Sequence, residues 1–160
     1  MQAKELLILL GSYQAAFVFL SFLVLMCIRD LKGCVFAGVS ATFYFTGILY
    51  FPYLIEWDTQ NFYRYYVWFL HELSWMGCIA YLGFKDKVYW RQSVLGQLLC
   101  LPILTMNFFR ALDMSFSQFN FSLTPYQFIY PVFEIAIVAL CWMPIFVYLK
   151  NKFFVKSQPA

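Results

Sequence analysis

Three ionisable side chains stand where charge is expensive: His71 and Glu72 inside one apolar run, and Glu134 inside another. A charge at the middle of a bilayer costs several kcal/mol unless it is paired or reaches water, so such residues are candidate functional groups by default. Two carboxyls can carry a proton, hold a cationic guest, or act as acid and base on one substrate. The blander alternative is that they close internal hydrogen bonds and fix how helices pair.

Spacing gathers these residues with others. Arg64, Trp68, His71, Glu72 and Trp75 follow steps of four, three, one and three, which is one face of a helix. Tyr126, Tyr130 and Glu134 follow steps of four on another helix. From the helix rise, Glu72 lies about 15 Å and Glu134 about 12 Å below the same end of their helices, so the two carboxyls can share one layer. Gln14 and Ser21 on the first run, and Asn107 and Arg110 on the fourth, lie in or above that layer. Arg110 is placed to reach down toward Glu134 if the fourth and fifth helices touch, whereas Arg64 reads first as a side chain reaching for the headgroups. Ala37, Ser40, Ala41, Tyr44 and Gly47 form a stripe of small residues with one phenol, suited to close helix approach.

Several chemistries are set aside. His71 is the only histidine. A zinc site wants three or four ligands, and neighbouring helix positions point about 100° apart, so His71 and Glu72 do not chelate one ion together. His71 reads instead as a satisfied polar group or a relay beside Glu72. No metal and no other cofactor is expected. There is no GxSxG, P-loop, dinucleotide-binding or HExxH signature. The five cysteines are scattered without CxxC spacing and read as free buried thiols. The net charge of +3 is not gathered into a stripe, so nucleic acid is not an expected partner.

The elements that must position the candidates follow from composition. Of 160 residues, 63% are hydrophobic, 23% aromatic and only 12% charged, with a mean hydropathy of +0.69. Soluble domains carry about 25% charged residues. A span needs about 20 mainly apolar residues, and such runs fall near 5–28, 34–55, 62–84, 92–112 and 125–149. Thr124 and Pro125 suggest an N-cap and first helical position for the fifth, while Pro102 and Pro131 each free a backbone carbonyl inside a run. The outer loop from Asp113 to Leu123 is the longest, with Phe116, Phe119 and Phe121 placed to rest on the membrane or cap the bundle. The expected fold is therefore all-α, a single integral membrane domain of five transmembrane helices over residues 1–160. Arg29, Lys32, Lys85, Lys87, Arg91, Lys150, Lys152 and Lys156 fall on one side, against Lys4, Arg64 and Arg110 on the other. The positive-inside rule then puts the N-terminus outside and the C-terminus in the cytoplasm. The first run lacks the features of a cleaved signal peptide, and with no targeting peptide the expected home is a bacterial inner membrane.

The expected arrangement is an outward-opening cavity lined by Trp68, Trp75, Tyr44, Tyr126 and Tyr130, with Glu72, Glu134 and His71 at its base. Asn107 and Arg110 complete the candidate set. The leading expectation is binding or conduction of a small solute, a lipid-like ligand or a proton, by a protein that is not an enzyme. Five spans are few for a complete transporter, so a homo-oligomer or a larger membrane complex is expected besides the lipid bilayer. The alternatives are an accessory subunit whose polar residues fix helix packing and, behind it, an intramembrane enzyme with Glu72 and Glu134 as acid and base.

Overall fold

The computed structural model describes residues 3–58, 63–116 and 122–154, of which the side chains of 3–12, 116 and 154 are not placed. It is all-helical, with α1 (Ala3–Cys27), α2 (Leu31–Trp57), α3 (Tyr63–Phe84), α4 (Trp90–Phe116) and α5 (Leu123–Phe154), and no strand among the described residues. Long runs of Leu, Phe, Ile, Met and Ala lose little by becoming helical, and a helix satisfies its backbone internally where water is absent. Three helices, α2, α4 and α5, are long and apolar enough to cross a membrane. The described apolar part of α1, Tyr13–Cys27, is shorter, and α3 carries Arg64, His71 and Glu72 within its 22 residues.

Several helix ends differ from the expected bounds: α2 begins at Leu31 rather than 34, and α5 runs on to Phe154 rather than 149. The fourth helix runs on to Phe116, not to 112, because Arg110 and Asp113 pair within its last turns at 3.2 Å. The fifth begins at Leu123, so Thr124 lies inside it. Ser122 takes the preceding position: its carbonyl accepts from Tyr126 N at 3.0 Å, and its hydroxyl donates to Asp113 at 2.7 Å. Pro125 then sits in the first turn, where its missing N–H costs little. Residues 59–62, the side chain of Phe116, and Phe119 and Phe121 of the expected loops lie outside the described residues, as do the side chain of Lys4 and all of Lys156.

Consecutive helices pack on one another, and α5 returns to α1, so the five close into a ring with α2 also touching α5 across it. One end of the ring is basic. There α1 and α3 terminate alike: Asp30 N bonds Leu25 O and Arg29 N bonds Met26 O, while Lys87 N bonds Leu82 O and Asp86 N bonds Gly83 O. These are paired Schellman closures, with Arg29 (φ 59°) and Asp86 (φ 54°) in the left-handed position. The two turns are tied together by Lys32 to Asp86 at 2.6 Å and by the Tyr89 hydroxyl donating to Asp30 at 2.9 Å. Asp30 also caps α2 by accepting from Gly33 N at 3.0 Å.

The solid core lies toward this basic end. Leu25, Phe36, Ile79, Val88, Ile103 and Cys141 are fully buried there. Polar side chains of α4 clamp its neighbours: Gln92 donates to Leu140 O at 2.9 Å, Ser93 to Ile79 O at 3.1 Å and Gln97 to Met76 O at 2.9 Å. The α3–α4 approach is tight at Gly83, where an added Cβ would stand 2.6 Å from Ser93 Oγ and 3.0 Å from its Cβ. Gly83→Val should therefore destabilise the bundle by about 1–3 kcal/mol through overpacking. Gly77→Val, at a position with nothing within 4 Å, should cost less than about 1 kcal/mol. Unfolding of the purified protein in detergent, followed by heat or denaturant, separates the two.

Candidate functional site

At the end opposite the basic turns the ring is not filled. A cavity of about 520 Å³ lies between α2, α3 and α5, with Gln14 of α1 at its edge. Its wall follows the two helical faces read from the spacing: Trp68, His71, Glu72 and Trp75 on α3, and Tyr126, Tyr130 and Glu134 on α5. The third wall is α2, through Phe43, Tyr44, Gly47 and Phe51. Gly47 lets the walls come together, since a Cβ there would meet the Trp68 ring at 3.3 Å.

Both carboxyls are buried, Glu72 at 7% and Glu134 at 5% exposure, and both line this cavity. Their partners differ. Glu134 Oε2 accepts a 2.6 Å hydrogen bond from the Tyr44 hydroxyl, and the Tyr130 hydroxyl also approaches it. Glu72 Oε2 has the Cys100 thiol at 3.3 Å, and a thiol is a weak donor. His71 does not bridge them. Its ring packs among Phe43, Trp68 and Tyr50, with centroids 5.1–5.5 Å away, and it is hydrogen-bonded to the Phe43 carbonyl. Trp75 closes the floor, donating from Nε1 to Ser40 at 3.2 Å and meeting Phe36 edge to face at 6.0 Å.

The mouth is built from tyrosine and arginine. The Arg64 and Arg110 guanidiniums lie 5.0 and 5.5 Å from the centroid of the buried Tyr65 ring, a cation–π arrangement. Tyr65 meets Tyr126 at 5.6 Å, and Tyr126 meets Tyr130 at 5.2 Å, so aromatic rings lead from the mouth down to Glu134. Arg64 lines the cavity rather than only the surface, and its backbone N donates to Asp58 at 2.8 Å.

Asn107 and Arg110 do not join the cavity wall, to which no described residue of α4 contributes. Arg110 turns to Asp113 and Ser122, at 3.2 and 3.4 Å, instead of toward Glu134. Asn107 is fully buried, and its side-chain amide has no hydrogen-bond partner among the described residues. Ser21 bonds Val18 O on its own helix at 2.7 Å. Sequence reasoning missed Cys100, the partner of Glu72, and Tyr65, which holds both arginines. Neither carries a signal in its spacing, since each depends on which helix stands opposite. No three of His, Cys, Asp and Glu converge as metal ligands among the described residues.

Chemically, the arrangement offers a largely aromatic slot with two acceptor carboxyls at its base and one guanidinium at its mouth. No protein-family model, curated protein or solved structure matches the chain. The bond between Tyr44 and Glu134 should be worth more than the hydroxyl of Tyr50, which is buried with no hydrogen-bond partner among the described residues. Tyr44→Phe should destabilise the protein by about 1–3 kcal/mol, since it strips a donor from a buried carboxyl. Tyr50→Phe should be neutral or stabilising. Denaturant titration of both variants in detergent checks the contrast.

Proposed function

We propose that this chain is a five-span membrane protein whose cavity binds a small amphipathic molecule entering from the outer side. The carrying observation is the convergence of Glu72 and Glu134 on one aromatic-walled cavity. Its volume of about 520 Å³ suits a drug-sized or lipid-like guest, for which sites run from roughly 300 to 1,000 Å³. The packed core beyond Trp75 gives such a guest a floor.

Five spans are supported by α1 and α3 as well as by the three more apolar helices. They have 25 and 22 residues, enough to cross a hydrocarbon core of about 30 Å. The polar side chains that lower the hydropathy of α3 (Arg64, His71 and Glu72) line the cavity, and intramembrane ionisable groups turn inward in this way. Orientation rests on charge. Arg29, Lys32, Lys85, Lys87, Arg91, Lys150 and Lys152 share one end, against Arg64, Arg110 and Lys4 near the start of α1 at the other. The basic end is then cytoplasmic, with the N-terminus outside. A second reading, that of an accessory subunit with structural polar residues, is favoured by one observation: the Tyr44–Glu134 bond joins α2 to α5.

The binding reading predicts saturable quenching of the cavity tryptophans by a brominated naphthalene carrying a neutral hydroxymethyl group. Gly47→Leu, which fills the space under Trp68, should weaken this at least tenfold, whereas Gly77→Leu on the outer surface of α3 should not. Quenching that rises linearly with probe, or that Gly47→Leu leaves unchanged, would favour the structural-subunit reading. For topology, a C-terminal reporter should be active only on the cytoplasmic side; activity on the outer side overturns the orientation.

A further inference from the structure

We propose that the cavity selects an organic cation, an amine on an apolar ring body, and that Glu72 is its counter-charge while Glu134 is a positioning residue. This rests on the binding reading above and names the ligand class for the same site.

The two carboxyls have unequal surroundings. Glu134 is held by the Tyr44 hydroxyl at 2.6 Å and approached by that of Tyr130. It is oriented by the protein and has little left to offer a guest. Glu72 is just as buried, but among the described residues its carboxyl is met by the Cys100 thiol alone, at 3.3 Å. A buried carboxylate with one weak donor is under-compensated, and a guest can supply what the protein withholds.

The sign of the guest's charge follows from the rest of the wall. Among the described lining residues Arg64 is the only arginine or lysine. It stands two helical turns above Glu72, about 12 Å along the axis. His71 is turned to the Phe43 carbonyl and away from cation duty. The base of the cavity therefore concentrates acceptors with no protein cation beside them. Trp68 and Trp75 present rings on the same helical face as Glu72, and aromatic faces beside a carboxylate favour an ammonium group. An anionic or purely apolar guest would leave Glu72 uncompensated. The same slot accommodates the apolar body between Trp68 and Tyr126, with the mouth and its guanidinium left for a polar tail.

The test uses three brominated naphthalenes that differ only in one substituent: aminomethyl, hydroxymethyl or carboxymethyl. Each is titrated into the protein in an uncharged detergent near neutral pH, and the component of quenching that rises linearly with probe is subtracted as background. The expected order is aminomethyl at least tenfold tighter than hydroxymethyl, with carboxymethyl weakest. Glu72→Gln should bring the aminomethyl probe to the affinity of the hydroxymethyl probe without weakening the latter more than threefold. Glu134→Gln should retain part of the preference for the amine. Saturable binding of all three probes with no preference for the amine would overturn the inference and leave the binding site standing. A preference that survives Glu72→Gln would equally overturn the role given to that residue. If no probe binds saturably, the site reading fails and the inference fails with it. The charge series needs only the unaltered protein, so a variant that folds poorly cannot shield the proposal.

Discussion

Two carboxyls in an apolar interior must be compensated, and the architecture around the cavity is organised by how that is done. A bare carboxylate there costs several kcal/mol. Glu134 is met by a phenol from α2, which fixes how α2 and α5 stand across the ring. Glu72 is met by a thiol from α4, which adds to the contacts holding α3 against α4. Each carboxyl thus binds two helices, and the space between them is left open rather than filled with Leu or Phe. Removing either donor would leave a buried acceptor exposed to the full desolvation penalty.

That open half is supported by a closed one. Toward the basic end, glycine and serine bring α3 and α4 into close approach, and glutamines and serine on α4 donate to carbonyls of the helices beside it. Such bonds are worth making in a dry interior, where unpaired amides are costly. The turns are locked by a capped helix start, two Schellman closures and a lysine–aspartate pair. The exposed pair itself contributes little, and the capping geometry does more. The rigid end fixes the stems of α2, α3 and α5, so their other halves can part around a cavity without the bundle separating. Pro131 within α5 stands at the cavity wall, where a freed carbonyl and a bend are easiest to tolerate.

The faces of the site were legible because a helix has a fixed period. Trp68, His71, Glu72 and Trp75 had to share a side of α3, as did Tyr126, Tyr130 and Glu134 of α5, and rise per residue set their depth. The glycine in the small-residue stripe of α2 was legible as a point of close approach, and Gly47 lies against Trp68. Arg110 and Asn107 show where such reasoning stops. Their depth was right for the site, but no described residue of α4 joins the cavity wall, and Asp113 one turn away pairs with Arg110. The start of α5 was misplaced for a related reason: Ser122 is drawn to Asp113 across the loop, and a local capping pattern cannot register a contact nine residues distant.

The sequence alone determined an all-helical chain with at least three membrane-length apolar helices, the faces on which its ionisable residues lie and the end on which its basic residues gather. These follow from local quantities: hydropathy, period and charge between runs. Tertiary structure alone decided that the α3 and α5 faces look at one another across α2, that Tyr44 serves Glu134 while Cys100 serves Glu72, and that α4 is excluded from the cavity. Those outcomes depend on the order of helices around the ring. Bilayer hydrocarbon and buried apolar side chains are nearly equivalent surroundings for a Leu or Phe, so composition does not distinguish one order from another. Polar pairing and close contacts at small residues break that degeneracy, and they exist only once the helices are assembled.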